Sequence, residues 1–395
     1  MKMTRLCFVL FLISGLYGQS ALYRLGYGDL YPTTDPLGSS LGAGVVAYED
    51  STRALYHNPA SLSRQKRVFF GAALGSDFRE INGSVINNTR IEHVAYAAPI
   101  GSNLGVSLSL NAVSDFESEH GNTSPYGNLE ERSSGGLWDY AFGLGYELNP
   151  GLKLGVKLHF LHGFLRRQIS ISSDEVSEMY LIKGNINGQG LEVGGIANLG
   201  NKVKLGVTAD IPMTRPLFGG SDSLGGTSQS TSFDEELAAW PTTVKLGLVY
   251  KQSRRTSFLA GLSQQIFPSD GFDNAAVFAL PAGWETVPVA SFQVSMLRLP
   301  ADRGSRNWLR RTGWQVGGSV KNYYLTYVSD KSNYVFEYAL ISGLNLGLRN
   351  GKSLFDISGE FGLRGGDVSL PEETYARLKL GIQVNDVWFK KVKRR

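Results

Sequence analysis

From Arg67 to the C-terminus, apolar and polar side chains alternate one for one along stretches of ten or more residues, and nothing else in the sequence constrains the fold as strongly. Leu152, Leu154, Val156, Leu158 and Phe160 interleave with Lys153, Gly155, Lys157 and His159. Val203, Leu205, Val207 and Ala209 interleave with Lys204, Gly206, Thr208 and Asp210. Phe355, Ile357 and Phe361 stand opposite Asp356, Ser358, Glu360 and Arg364, and Leu378, Leu380, Ile382 and Val384 opposite Arg377, Lys379, Gly381, Gln383 and Asn385. Side chains switch faces at every residue of a strand, so each stretch is a strand with one oily and one ionic face. A soluble sandwich would turn the oily face to a partner sheet, and a membrane barrel would turn it to lipid. Alternation alone does not separate the two.

The connections do. About fourteen strands are expected, near 67–78, 89–99, 103–115, 137–148, 152–170, 179–198, 202–213, 241–251, 255–267, 286–298, 311–324, 334–349, 352–364 and 373–389. Links after even-numbered strands are short, as at Asn149-Pro150-Gly151 and Asn350-Gly351, with 299–310 the exception. Links after odd-numbered strands are long and Gly/Ser-rich, as at 116–136, 214–240 and 268–285. Tight turns at one rim and long loops at the other belong to an antiparallel outer-membrane barrel, and an even strand count leaves no unpaired edge in lipid. The expected class is all-β, an antiparallel transmembrane β-barrel over residues 67–389.

Residues 1–20 read as a secretory signal peptide: Lys2 and Arg5, then unbroken apolar sequence from Leu6 to Ile13, then small residues, with cleavage expected near Gly18 to Ala21. The one cysteine, Cys7, leaves with it, so the mature chain has no thiol for a disulfide or a thiolate metal site. The formal charge of +4 is local. Without Lys2, Arg5 and the five basic residues of the 390–395 tail, 32 basic residues face 35 acidic ones. Such a body is no nucleic-acid footprint.

Residues 21–66 do not alternate. A glycine cluster (Gly38, Gly42, Gly44) leads into Asp50, then Ala54-Leu55-Tyr56-His57-Asn58-Pro59-Ala60. Asp50 or Ser51 is a candidate N-cap, and Asn58, preceding proline, is the expected end of a short helix. A compact polar segment there suits a plug within the lumen. In this stretch, and in the C-terminal Asn385-Asp386-Val387-Trp388-Phe389 followed by lysines, the chain resembles the FadL family of outer-membrane transporters, as a divergent subgroup. The resemblance implies a fourteen-stranded barrel with an N-terminal hatch, Asn58, Pro59 and Ala60 as the hatch motif, and passage of long-chain fatty acids or hydrocarbons past the hatch. It also implies an outer-membrane location in a Gram-negative-type cell, with both termini periplasmic.

The alternation turns Lys153, Lys157, His159, Lys204, Lys245, Arg377 and Lys379 into the lumen. Four of these lysines open or follow a repeated Lys-Leu-Gly, at 153–155, 204–206, 245–247 and 379–381. The repeat reads either as a cationic track for anionic solutes or as polar lumen lining, with glycines where strands bend or a plug approaches. Arg166 and Arg167 near the loop end of strand five, with Phe218 and Trp240 by the 214–240 loop, are candidate ligand contacts; rim charges and loop packing explain them equally. His159 and His162 fall on opposite faces and make a poor metal pair, no G-x-S-x-G elbow occurs, and no cofactor is expected. Three functions stay open: a carrier of hydrophobic small molecules, a barrel serving a secreted or periplasmic protein partner, and a porin for polar solutes. Membrane lipid surrounds the protein in each.

Overall fold

The computed structural model describes residues 30–31, 35–50, 53, 56–81, 84–124, 127–172, 177–214, 217–224, 230–236, 240–267, 284–301, 305–327, 334–348, 353–365 and 372–386. The expected signal peptide, the basic tail, Trp388 and Phe389 lie outside them.

Among the described residues, eighteen strand segments make one antiparallel sheet. In chain order they are β1 (Val68–Ile81), β2 (Ser84–Pro99), β3 (Leu104–Asp115), β4 (Ser118–Ser124), β5 (Gly127–Asn149), β6 (Leu152–Ser172), β7 (Ser177–Leu199), β8 (Val203–Pro212) and β9 (Leu217–Leu224). They continue with β10 (Ser230–Glu236), β11 (Thr242–Lys251), β12 (Thr256–Ile266), β13 (Trp284–Thr286), β14 (Val289–Arg298), β15 (Thr312–Tyr327), β16 (Tyr334–Gly347), β17 (Ser353–Gly365) and β18 (Glu373–Asp386). Fourteen of them form a closed barrel, sealed where β1 pairs with β18 from Val68↔Asp386 to Ile81↔Glu373. The other four extend the wall past one rim: β4 on β5, β9 on β7, β10 on β9 and β13 on β15.

Those four segments occupy stretches expected to be loops. Their short, largely polar sequences have little apolar alternation, so the backbone pairs without leaving a period-two signature. The opposite rim holds short turns, such as Ile100–Asn103, Pro150–Gly151 and Gly200–Lys202, and the longer 299–311 link, which contains the single-turn helix α2 (Trp308–Arg311). We refer to the turn rim and the loop rim.

The faces follow the alternation. Leu152, Leu154, Leu158 and Phe160 are exposed on the outer wall, while Lys153 is 0% exposed and Lys157 buried on the inner one. A one-residue slip of β6 would exchange these faces. A lysine at the bilayer midplane costs about 2–4 kcal/mol, so the register is strongly determined.

The helical turns of the N-terminal segment lie elsewhere than expected. They are α1 (Pro36–Leu41), a 3-10 turn over Gly42–Ala47 and another over Pro59–Arg64. Arg53, Tyr56 and His57, within the window expected to be helical, are not, and positions 51, 52, 54 and 55 lie outside the described residues. Asn58 is extended (φ −141°, ψ 117°) and starts a helical turn instead of ending one. The reason is local. Pro59 lacks an N–H and has a fixed φ, which suits a first helical position, and the Asn58 side chain caps the turn by accepting from the Ala60 N–H at 3.0 Å.

Candidate functional site

The N-terminal segment lies inside the barrel against the inner wall near the turn rim. Asp35 caps α1 by accepting from the Gly38 N–H at 3.1 Å, and Pro36 supplies its first position. Leu37, Leu41, Val45 and Val46 are almost fully buried and pack on Val249, Leu259 and Leu297 of β11, β12 and β14. Leu62 and Tyr56 pack on Phe69, Ala95 and Ala97 of β1 and β2. Each buried aliphatic side chain stabilises this docking by roughly 1.5–3 kcal/mol, so apolar burial supplies most of the holding force.

Glycines of the wall make the approach possible. A Cβ on Gly155 would lie 2.3 Å from the Ala60 nitrogen and the Pro59 carbonyl carbon. One on Gly206 would lie 2.3 Å from the Val46 oxygen, and one on Gly247 would lie 2.9 Å from a Val46 methyl. On Gly381 it would meet the Pro36 ring at 2.9 Å. These are the glycines of the four Lys-Leu-Gly repeats. At each repeat the glycine seats the plug.

Polar groups fix its position. The Asn58 amide donates to the carbonyls of Val46 (2.7 Å), Gly195 (3.1 Å) and Val207 (3.3 Å), tying two parts of the plug to β7 and β8. Arg53 makes a bidentate pair with Asp356 of β17 at 2.8 and 2.7 Å, and Asn345 of β16 donates to the same carboxylate at 3.0 Å. Glu49 accepts from both Lys153 and Lys204. Lys157 donates to the Tyr56 carbonyl at 2.7 Å and to Glu192 at 2.5 Å. Asp35 pairs with His57. Burial pushes the Glu49 carboxyl up, but the ammonium groups of Lys204 and Lys153 outweigh it and hold it below the ordinary carboxylate range. Burial likewise opposes Asp35, and His57 reverses the sign.

A depressed carboxyl pKa sets a direction for pH. The Glu49 contribution is complete above the unfolded carboxyl value of about 4.3 and is lost as pH falls through the lower folded value. Planar-bilayer conductance should therefore stay low from neutral pH down to about 4 and rise only below it. A conductance already high at pH 7 would contradict a latched plug.

Above the plug is a chamber of about 250 Å³ lined by ionic groups, among them Asp139, His159, Glu192, Asp210 and Lys245. His159 Nδ1 lies 2.9 Å from Asp139. On the opposite wall Glu337 accepts from Arg364 at 2.8 Å and from Tyr375 at 2.8 Å, and Arg377 bonds Glu360 at 3.0 Å. Lys379 pairs with Glu92 at 2.7 Å. Toward the loop rim the inner face becomes apolar, with Phe116, Leu137, Leu161, Leu165, Ile182 and Tyr324 in one cluster. The interior is thus layered, apolar at the loop rim, ionic in the middle and plugged at the turn rim. Among the described residues no group of acidic and histidine side chains could hold a metal ion.

The structure separates Arg166 from Arg167. Arg166 is exposed on the outer face; Arg167 turns inward, half-buried, 3.5 Å from Glu131. Trp240 packs on the apolar cluster. Phe218 sits in β9 in register with Ile186. Lys153, Lys157, His159, Lys204, Lys245, Arg377 and Lys379 all face inward. Glu49, Arg53 and Glu192 were not singled out from sequence, because a lone carboxylate or guanidinium gives no sign of a partner 104 or 303 positions away.

The sequence matches the BamG family over residues 1–214 and 221–394. The chain belongs to the BamG family. Comparison with curated protein sequences gives no match. Among solved structures, this BamG-family barrel resembles a Pseudomonas aeruginosa FadL homologue, with a TM-score of 0.65, 11% identity and coverage of 92% of this chain and 100% of that one. It resembles the Ralstonia pickettii toluene transporter TbuX, with a TM-score of 0.61, 12% identity and coverage of 89% and 98%. A third likeness is the Pseudomonas putida toluene transporter TodX, with a TM-score of 0.57, 14% identity and coverage of 94% and 99%. The BamG-family chain therefore has the FadL-like fold, a fourteen-stranded barrel with an N-terminal plug segment.

Proposed function

We propose that the protein is a hatch-gated outer-membrane passage for hydrophobic small molecules, long-chain fatty acids or hydrocarbons, with the turn rim and both termini on the periplasmic side. One observation carries this reading: the apolar cluster lines the inside of the wall at the loop rim, where an open porin for polar solutes would present polar side chains. A molecule entering there meets Phe116, Leu161, Tyr324 and the half-buried Trp240 before the ionic chamber. The hatch motif Asn58-Pro59-Ala60 is then the part of the plug that must move, since it ties plug to wall. Two similar folds are described as toluene transporters, which supports the substrate class. Cells with the protein should take up radiolabelled oleate or toluene several-fold faster than cells lacking it, and Leu161→Glu should abolish the difference. Equal uptake by both cell types would refute the passage.

A second reading has its own support. The ionic layer between apolar vestibule and plug, with Glu337, Arg364, Arg377 and Glu360 mutually paired, interrupts any greasy path. A barrel kept shut in this way suits a structural role beside a secreted or periplasmic protein, and equal uptake would favour it.

A further inference from the structure

The turn rim carries a cluster of cations. At the turn rim, Arg254 and Arg255 follow β11, and Arg298, Arg306, Arg310 and Arg311 lie in and around the 299–311 link. At the loop rim the charges are mixed, with Glu130 paired to Arg132 and Glu131 beside Arg167.

Beside the plug, the turn rim opens into a recess of about 600 Å³. Five cationic side chains line it: Arg64 from the plug, Lys202 and Lys204 from the β7–β8 turn and the start of β8, Lys251 at the end of β11 and Arg254 in the next turn. Two anionic ones, Glu49 and Asp50, face them. Glu49 is held by Lys204 and Lys153 at the recess edge, and Asp50 lies 3.9 Å from Arg53. Arg64 is 4.0 Å from Glu147 and stays 44% exposed. Lys202, Lys251 and Arg254 form no ion pair among the described residues, although Lys251 lies close enough to Glu49 to feel its charge.

We propose that this recess is a docking site for a carboxylate-rich segment of a protein partner, with Lys202, Lys251 and Arg254 as its anchoring cations. Charge complementarity selects the class of occupant. A concave surface with several uncompensated cations lowers the energy of an approaching anion and raises its association rate. The recess already seats one carboxylate, because Glu49 at its edge pairs with Lys204 of the lining and with the buried Lys153 behind it. Its position selects a protein segment over a lipid headgroup. The lining comes partly from the plug, at Tyr48, Glu49, Asp50 and Arg64, so the recess opens at the barrel mouth and away from the lipid-facing wall. The inference needs only the orientation given above, and it holds whether or not hydrophobic molecules cross the barrel.

The test uses the full chain in detergent micelles and a fluorescein-labelled hexaglutamate peptide, read by fluorescence anisotropy. Binding should weaken at least tenfold between 50 and 300 mM salt, as screening requires. The triple variant Lys202→Gln, Lys251→Gln, Arg254→Gln should weaken it at least tenfold at low salt, while Lys183→Gln on the loop half of β7 leaves it unchanged. Unchanged heat-modified gel migration checks that each variant is folded. Parent-like binding by the triple variant overturns the proposal. So does full loss of binding on deleting residues 390–395 alone, which would make the basic tail the binder. If the three substitutions instead reduce phosphatidylglycerol retained by the micelle and spare peptide binding, the surface is a headgroup site and the proposal falls.

Discussion

The Gly155→Leu variant is expected to conduct ions across a planar bilayer under conditions where the parent protein stays closed. The new side chain would start 2.3 Å from the Ala60 nitrogen and the Pro59 carbonyl carbon, and both are backbone atoms with nowhere to move inside the barrel. Overpacking of this kind costs about 1–3 kcal/mol when side chains can adjust, and more when backbone must shift. On the plug side, Ala60 is 0% exposed and Asn58 ties it to β7 and β8, so displacing Pro59 also strains three amide contacts. Pairing the change with Gly206→Leu, aimed at the Val46 oxygen, removes a second seat. Gly359→Leu is the control, because a Cβ there meets nothing within 4 Å. A closed Gly155→Leu barrel, with conductance equal to the control, would show that the plug is not what seals the lumen.

Asp356→Asn should free the plug by a different route. Arg53 is 3% exposed and its guanidinium is held by both oxygens of Asp356. Removing one member of a buried ion pair leaves an uncompensated charge and typically costs 3–5 kcal/mol, whereas replacing both by apolar groups of similar size is often neutral. Neutralising Asp356 should therefore loosen the plug backbone, so that trypsin cuts after Arg64 and Lys66, whose side chains are already exposed, at least tenfold faster than in the parent. The double variant Arg53→Met, Asp356→Leu should restore most of the resistance. If the double variant is cleaved as fast as the single one, the pair does more than hold the plug and the argument from burial fails.

The barrel was legible in sequence because lipid enforces a strict rule. Every second residue of β6, from Leu152 to Phe160, must be apolar, and short turns must share one rim, so strand positions and count follow from pattern alone. The wall extensions were not legible, since outside the membrane a strand such as Ser230–Glu236 obeys no such rule. The plug was recognisable as a separate element, and Asn58-Pro59-Ala60 as its motif. Its helical turns were misplaced because Pro59 was read as a stop when its geometry serves a start. The ion pairs were beyond reach, since Arg53 and Asp356 meet only through barrel closure. The Lys-Leu-Gly repeat held the answer in plain form, as glycines spaced for a plug, beside a competing reading as a cationic track.

Those glycine seats also bear on how the molecule is assembled. They are distributed over β6, β8 and β11, which lie in one run of neighbouring strands, and β18, which closes the ring on β1. A wall joined one residue out of step would turn Leu154 and Leu205 toward Pro59 and Val46 and shut the N-terminal segment out. Docking of that segment therefore favours the one stagger in which the seats line up. A misjoined ring would keep an unplugged, leaky interior, distinguishable from the finished protein by its permeability alone.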